Sequence, residues 1–161
     1  IDHDGFENKS IAYAVFHLAR IEDIVLNTLI RNENQIFFSE NYQQRINSPI
    51  ITTGNELMKE EIRDFSQKLN IRALFEYMIQ VKDATDKWLL TIDYSSLKTK
   101  IDKSNKEKLL LMKVVDNSNR SIWLIDYWCN KDIKGLIKMP FTRHWIMHVE
   151  ASIRIKKKLI N

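Results

Sequence analysis

The sequence predicts an all-α fold, because of its composition and its helix-capping residues. Only 3 glycines and 2 prolines occur in 161 residues, so long stretches contain no residue that breaks a helix. The hydrophobic fraction of 44% and the charged fraction of 29% are ordinary for a globular protein. A chain of this length fits one compact domain, and we expect residues 1–161 to form one.

Capping residues divide the chain into helices. Ser10 can cap the first helix, Asn70 the third and Thr142 the last, because each side chain can accept a hydrogen bond from the first helical turn. We expect loops over residues 35–53, around a short aromatic segment, and over residues 135–140. The predicted helices, in chain order, are residues 10–32, 56–68, 70–92, 104–115, 121–130 and 142–160.

Charge, cysteine content and hydropathy limit the classes of function. The net charge of +4 comes largely from the segment 154–158, which we interpret as the solvated end of a helix, so we expect no nucleic-acid partner. The single cysteine, Cys129, excludes an internal disulfide framework and suits a reducing compartment such as the cytoplasm. Because no run of 18 apolar residues occurs, we expect no membrane span.

Two histidines four residues apart, His144 and His148, lie in the last predicted helix. Four residues make about one helical turn, so both imidazoles project from the same side of the helix. On a helical wheel this side also carries Ala151, Ile155 and Leu159, which makes it an apolar, inward-facing stripe. Two imidazoles at this spacing can share one divalent cation.

His17, in the first helix, is the candidate third ligand. It lies at the margin of the apolar side, where it can face a neighbouring helix and keep solvent access on one side. Three histidines with an open coordination position are typical of a catalytic zinc site, although imidazole suits copper, iron and nickel as well. The alternative is that the three imidazoles are hydrogen-bonded core residues. The fourth histidine, His3, we interpret as incidental.

Glu22 falls within the apolar side of the first helix, so we expect its carboxylate to be at least partly buried. Burial raises the pKa of a carboxyl group unless a cation or a hydrogen-bond donor compensates. Glu22 is therefore a candidate catalytic base or a support for the metal ligands, and the alternative is a structural ion pair with an arginine of another helix. Arg20 and Asp23 are predicted to lie on the other side of the helix.

Two further features bear on partners and nucleophiles. Ile146, Val149 and Ile153 form a second apolar stripe almost opposite the histidines, which favours a homodimer or a helical partner. Cys129 follows Trp128 in an aromatic-rich stretch with no local basic motif to activate it. We therefore expect its thiol to pack rather than to act as a nucleophile.

Two segments resemble proteins of the DinB/YfiT-like superfamily. Residues 10–24, SIAYAVFHLARIEDI, are similar to the second helix of those proteins, in which a basic and then an acidic residue follow a histidine. Residues 139–151, MPFTRHWIMHVEA, are similar to their last bundle helix with its H-x-x-x-H pattern. The order, separation and helical context of the two segments agree with the family, and the middle of the chain agrees in outline.

The resemblance implies a fold, a metal and a class of reaction. The fold would be a four-helix bundle with up-down-down-up topology, with extra short helices before the last bundle helix. His17, His144 and His148 would hold a divalent metal such as zinc or nickel, which would activate a low-molecular-weight thiol or water in an S-transferase or a hydrolase. The alternatives are a non-catalytic, metal-binding stress protein and a helical interaction domain.

The start of the chain departs from the family pattern. The family places a full helix before the segment that opens this sequence, and that helix is missing here. The first residues also lack a methionine and the layout of a signal peptide, so we expect the sequence to begin inside a longer product.

Overall fold

The structure, a computed structural model that describes residues 10–160, is built from helices and short connections, which confirms the predicted all-α class. Two π-helical segments, Ile24–Ile30 and Met139–Arg143, and a 3-10 segment, Tyr94–Lys98, add to the helical content. The α-helices, in chain order, are α1 (Ile11–Asp23), α2 (Ile36–Ser39), α3 (Tyr42–Ile46), α4 (Lys59–Lys68), α5 (Ile71–Thr91), α6 (Lys103–Met112), α7 (Trp123–Cys129), α8 (Ile133–Lys138) and α9 (His144–Ile160).

Two of the predicted caps begin their helices. Ser10 Oγ accepts a hydrogen bond from Tyr13 N at 2.9 Å, and Asn70 Oδ1 accepts one from Ala73 N at 3.2 Å. Each oxygen satisfies a backbone donor that the first helical turn leaves unpaired. The second predicted helix, α4, begins at Lys59, later than expected.

The prediction of a loop over residues 35–53 is wrong in part, because this segment contains α2 and α3. Phe37, Tyr42 and Ile46 on these two short helices are almost completely buried. Helices of four and five residues are not stable on their own. Their packing on the rest of the molecule therefore determines their structure, and local sequence preference does not reveal it.

The prediction of a loop over residues 135–140 and of a cap at Thr142 is also wrong. Residues 133–138 form α8, and the π-helical segment then leads directly into α9. The Thr142 hydroxyl donates to the carbonyl oxygens of Lys138 at 2.7 Å and of Ile137 at 3.0 Å, so it does not cap the helix that follows. Since a threonine hydroxyl can donate to a carbonyl in the preceding turn, it is compatible with continuous helix.

α1 and its π-helical extension contribute to two hydrophobic cores. The first half of α1, with Phe16, packs among α2 to α5 around Phe65. The second half, continued by Leu26 in the π-helical segment, packs against α6 and α7 around Trp128. α1 also contacts α5 and α9 along its length. His17 therefore lies on a helix that packs against several other helices.

Arg20 and Asp23, which were predicted to lie on the other side of the first helix from Glu22, are fully buried. Arg20 Nη2 donates to Ile51 O at 2.6 Å and to Gln35 Oε1 at 3.0 Å. Asp23 accepts from the Tyr77 hydroxyl at 2.8 Å and from the first two backbone N–H groups of α2 at 3.0 and 2.9 Å. These bonds offset the cost of burying the two charges.

The surface of α9 agrees with the predicted pattern. Ile146, Val149 and Ile153 are 58%, 46% and 48% exposed, so the second apolar stripe faces outward. The basic residues between positions 154 and 158 are exposed as well. Among residues 10–160, no helix combines the length and the apolar character that crossing a membrane requires.

Candidate metal centre

The structure brings His17, His144 and His148 together. One ring nitrogen from each residue lies within 4.8 Å of the corresponding nitrogens of the other two. The Nε2 atoms of His17 and His144 are 3.1 Å apart. A metal with bonds of about 2.0–2.1 Å in tetrahedral or octahedral geometry holds neighbouring ligand nitrogens about 2.8–3.4 Å apart. The His17–His144 pair therefore has the separation that one shared ion requires, and the nitrogen of His148 lies within 4.8 Å of both.

Contact between α1 and α9 positions the three rings. His17 lies in the middle of α1, while His144 is the first residue of α9 and His148 follows one turn later. His17 and His148 are buried, and His144 is half-buried. Solvent therefore reaches the cluster at His144. The expectation that one side of His17 stays accessible to solvent is wrong, because that residue is buried.

A backbone carbonyl fixes the orientation of the His17 ring. His17 Nδ1 lies 2.9 Å from the carbonyl oxygen of Thr53. Because a carbonyl oxygen can only accept, Nδ1 carries the hydrogen in this bond, and the neutral ring then has its lone pair on Nε2. Nε2 is the atom that faces His144. Histidine ligands of metals are commonly oriented by such a bond from their other nitrogen.

The turn that presents this carbonyl depends on a glycine. Gly54 has a φ of 79°, in the left-handed region that favours glycine, and its carbonyl accepts from the Tyr13 hydroxyl at 2.9 Å. The Tyr13 ring in turn stacks on the His17 ring at a centroid distance of 5.6 Å. The position of His17 against this turn is thus held in two ways: directly by its hydrogen bond to Thr53, and indirectly through Tyr13, which contacts both Gly54 and the His17 ring.

Glu22 lies outside the group of three histidines. Its carboxylate is fully buried, accepts a hydrogen bond from Trp145 Nε1 and forms an ion pair with Lys82 Nζ at 3.2 Å. Burial raises the pKa of Glu22, while the hydrogen bond from Thr85 and the charge of Lys82 oppose that rise. The predicted burial of Glu22 is confirmed, and its ion-pair partner is a lysine rather than the arginine that we considered.

Contact with Glu22 also links α1 to the start of α9. Trp145 follows His144 directly in the sequence, and its indole N–H is bonded to Glu22. Lys82 on α5 lies 5.1 Å from the centroid of the Trp145 ring as well as beside the carboxylate. Glu22 can therefore help to hold the helix that carries two of the histidines.

Two cavities reach the histidines from different parts of the fold. One cavity, of about 240 Å³, lies between α1, α5 and α9 beside His148, Met78 and Trp145. The other, which we call the first cavity, has a volume of about 200 Å³ and lies beside His17 and His144. The other residues that line this first cavity are Ile21, Asn55, Trp123, Leu124, Tyr127, Trp128, Met139 and Pro140.

The aromatic wall of the first cavity, formed by Trp123, Tyr127 and Trp128, was not predicted from the sequence. The sequence shows an aromatic-rich stretch around Cys129, but helical periodicity does not reveal which distant helix that stretch faces. Cys129 itself is partly buried against the second core, and this burial raises the pKa of its thiol. A raised pKa disfavours the reactive thiolate, in agreement with a packing role.

Comparison with protein-family models, with curated proteins and with solved structures finds no significant match to this chain. The similarity to DinB/YfiT-like proteins in two segments therefore stays a prediction. The geometry of the cluster itself carries the evidence for function.

Proposed function

We propose that His17, His144 and His148 bind one divalent metal ion and that the protein is a metal-dependent enzyme, an S-transferase acting on a small thiol or a hydrolase. The single observation that supports this most strongly is the convergence of three ligand nitrogens within 4.8 Å. The orientation of His17 by Thr53 adds to it, because it directs Nε2 toward the other imidazoles. Zinc and nickel are the metals we propose, since both suit imidazole ligands.

The chain supplies three nitrogen ligands and an adjoining cavity, the combination expected of a catalytic site with an open coordination position. A divalent ion bound there lowers the pKa of a thiol or water that enters the open position. Thr53 and Tyr13 hold the His17 ring, and Glu22 steadies the first turn of α9 through Trp145.

We also propose that the helices around the site form a DinB/YfiT-like four-helix bundle. The contacts of α1 with α5 and with α9 support this, as does the position of the histidines on α1 and α9. The helices α6 to α8 then correspond to the extra short helices before the last bundle helix. This assignment rests on the similarity of residues 10–24 and 139–151 to the family.

An activity assay with metal-loaded and chelated protein tests the proposed function. We expect consumption of small thiols with an electrophile panel, or hydrolysis of esters, that chelation abolishes and added metal restores. His148→Ala should lose the activity, whereas Met147→Ala, an exposed position on the same helix, should keep it. The proposal is wrong about catalysis if turnover is absent with every substrate or is the same in chelated protein.

One structural observation supports a second candidate function. The exposed stripe of Ile146, Val149 and Ile153 suits a helical interaction domain, with a second copy of the chain as the simplest partner. Under this alternative the histidines are hydrogen-bonded core residues. Metal-free protein that is fully folded and dimeric would favour it over the enzyme.

A further inference from the structure

The cavity beside His17 and His144 has an aromatic wall that comes from one helix. Trp123, Tyr127 and Trp128 of α7 all line it, and the rings of Trp123 and Tyr127 meet edge to face at a centroid distance of 5.6 Å. Lys131 Nζ lies 4.1 Å from the centroid of the Tyr127 ring, which restrains that ring. The wall therefore offers aromatic edges and faces to whatever enters.

The size of the cavity corresponds to one ring with a short substituent. Its volume is about 200 Å³. An apolar protein cavity of about 150 Å³ is large enough to bind benzene. A phenyl group would therefore fill most of the space and leave room for one or two further atoms toward the imidazoles.

Few polar side chains line the cavity. Among the described residues that line it, none is an aspartate, glutamate, lysine or arginine. The polar groups are Asn55 and the two histidines, and the rest of the surface is aromatic or aliphatic. Placing an ionised group against the aromatic rings of the α7 wall would cost its hydration, and no aspartate, glutamate, lysine or arginine lines the cavity to offset that cost. A neutral, apolar group is the occupant that this wall favours.

We infer that the enzyme's substrate carries a neutral aromatic ring, which the cavity binds against Trp123, Tyr127 and Trp128 while its reacting end lies at the histidines. This inference rests on the proposed function, because it takes the ring and the reacting group to be parts of one substrate molecule. It narrows the substrate class from any small thiol or ester to those with an uncharged aryl group one or two atoms from the reacting atom.

The first experiment measures ring binding in chelated, metal-free protein by ligand-observed NMR. Benzyl alcohol should bind at least about tenfold more tightly than 1-propanol, because it buries an additional ring. Equal affinities for the two probes would overturn the inference.

Variants of aromatic residues that are only partly buried assign the binding to this cavity. Trp123→Ala and Tyr127→Ala should each weaken benzyl alcohol binding several-fold. Phe75→Ala on α5 is the matched control, since Phe75 is 55% exposed, Trp123 is 49% exposed and Phe75 is not among the cavity residues. Circular dichroism checks that all three variants fold. Unchanged affinity in both α7 variants, or an equal loss in Phe75→Ala, would contradict the assignment.

A second experiment uses cobalt-loaded protein to separate this inference from the proposed function. Benzyl mercaptan should change the visible cobalt spectrum at a concentration at least about tenfold lower than 2-mercaptoethanol does, and Tyr127→Ala should reduce that difference. Cobalt binding without any preference for benzyl mercaptan would overturn the inference and leave the metal site intact. Failure of cobalt to bind would instead overturn the proposed function, and with it the role of the ring as part of a substrate.

Discussion

At the scale of single residues, Glu22 has the environment with the clearest chemical consequence. Its carboxylate is fully buried, and its contacts with Lys82 and Trp145 join α1 to α5 and α9. Burial raises the pKa of this group in the folded protein above its ordinary value. The folded state therefore binds the Glu22 proton more tightly than the unfolded chain does.

The raised pKa of Glu22 predicts how its contribution to stability varies with pH. Stability from the protonated carboxyl is fully present below the unfolded pKa of about 4.3, and it is lost as pH rises through the folded-state pKa. In Glu22→Gln the side chain is neutral throughout. The free energy of unfolding of the native protein, minus that of the variant, should therefore fall as pH increases above about 4.3.

Urea denaturation of both proteins at several pH values between about 4 and 8 measures this difference. Comparing native protein with the Gln variant removes the contribution of the other carboxylates, which titrate in both. A difference that grows with pH would mean that Lys82 and Trp145 stabilise the ionised form by more than burial costs it.

Single residues also show where helical periodicity succeeds and where it fails. The spacing of His144 and His148 predicted a shared side of one helix, and the structure places both beside His17. A helical wheel places Arg20 and Asp23 on the other side of the helix from the apolar residues, and it does not show that this second side is buried too. In the fold α2 and α5 cover that second side and supply the bonds that hold both charges.

At the scale of elements, the turn at Gly54 connects backbone conformation to the candidate metal centre. Its positive φ presents the Thr53 carbonyl to His17, and a Cβ at this position would lie 3.2 Å from Tyr13 Cε2. A side chain here therefore adds backbone strain and crowds the ring that stacks on His17.

Gly54→Ala is expected to lower the free energy of unfolding by about 1–3 kcal/mol, because alanine disfavours a positive φ. It should also weaken metal binding, because the Thr53–His17 bond depends on the same turn. Gly54→Asn is the matched control, since asparagine tolerates the left-handed region better and introduces the same Cβ. Thermal unfolding and metal titration measure both effects. Equal losses in the two variants would show that crowding, rather than backbone conformation, is responsible.

The elements that the sequence did not predict have a common physical cause. α2, α3 and α8 have 4, 5 and 6 residues, too few for a detectable periodic pattern. Their helical conformation depends on tertiary contacts, such as the backbone bonds that the buried Asp23 accepts from α2. The longer α1, α5 and α9 were predictable because each has a repeated apolar pattern, and α1 and α5 also have a local cap.

At the scale of the whole molecule, two cores meet along α1 and its extension, and the histidine cluster lies where α1 contacts α9. This arrangement explains why two segments 127 positions apart form one candidate site. The sequence could predict the three candidate ligands from their residue type, from the spacing of His144 and His148 and from the resemblance of two segments to one family. It could not predict the aromatic wall of α7, since that depends on how the short helices fold back onto the site.

The metal content of the purified protein tests the central claim most directly. Protein prepared without a metal-affinity tag should contain about one zinc or nickel ion per chain, as three protein ligands are sufficient for one such ion. His148→Ala should lose at least about 100-fold in metal affinity, more than the loss of an outer-shell partner costs. Met147→Ala, also on α9, should retain the native stoichiometry. Native protein that is folded but binds no divalent metal, or a His148→Ala variant that binds it equally well, would contradict the account.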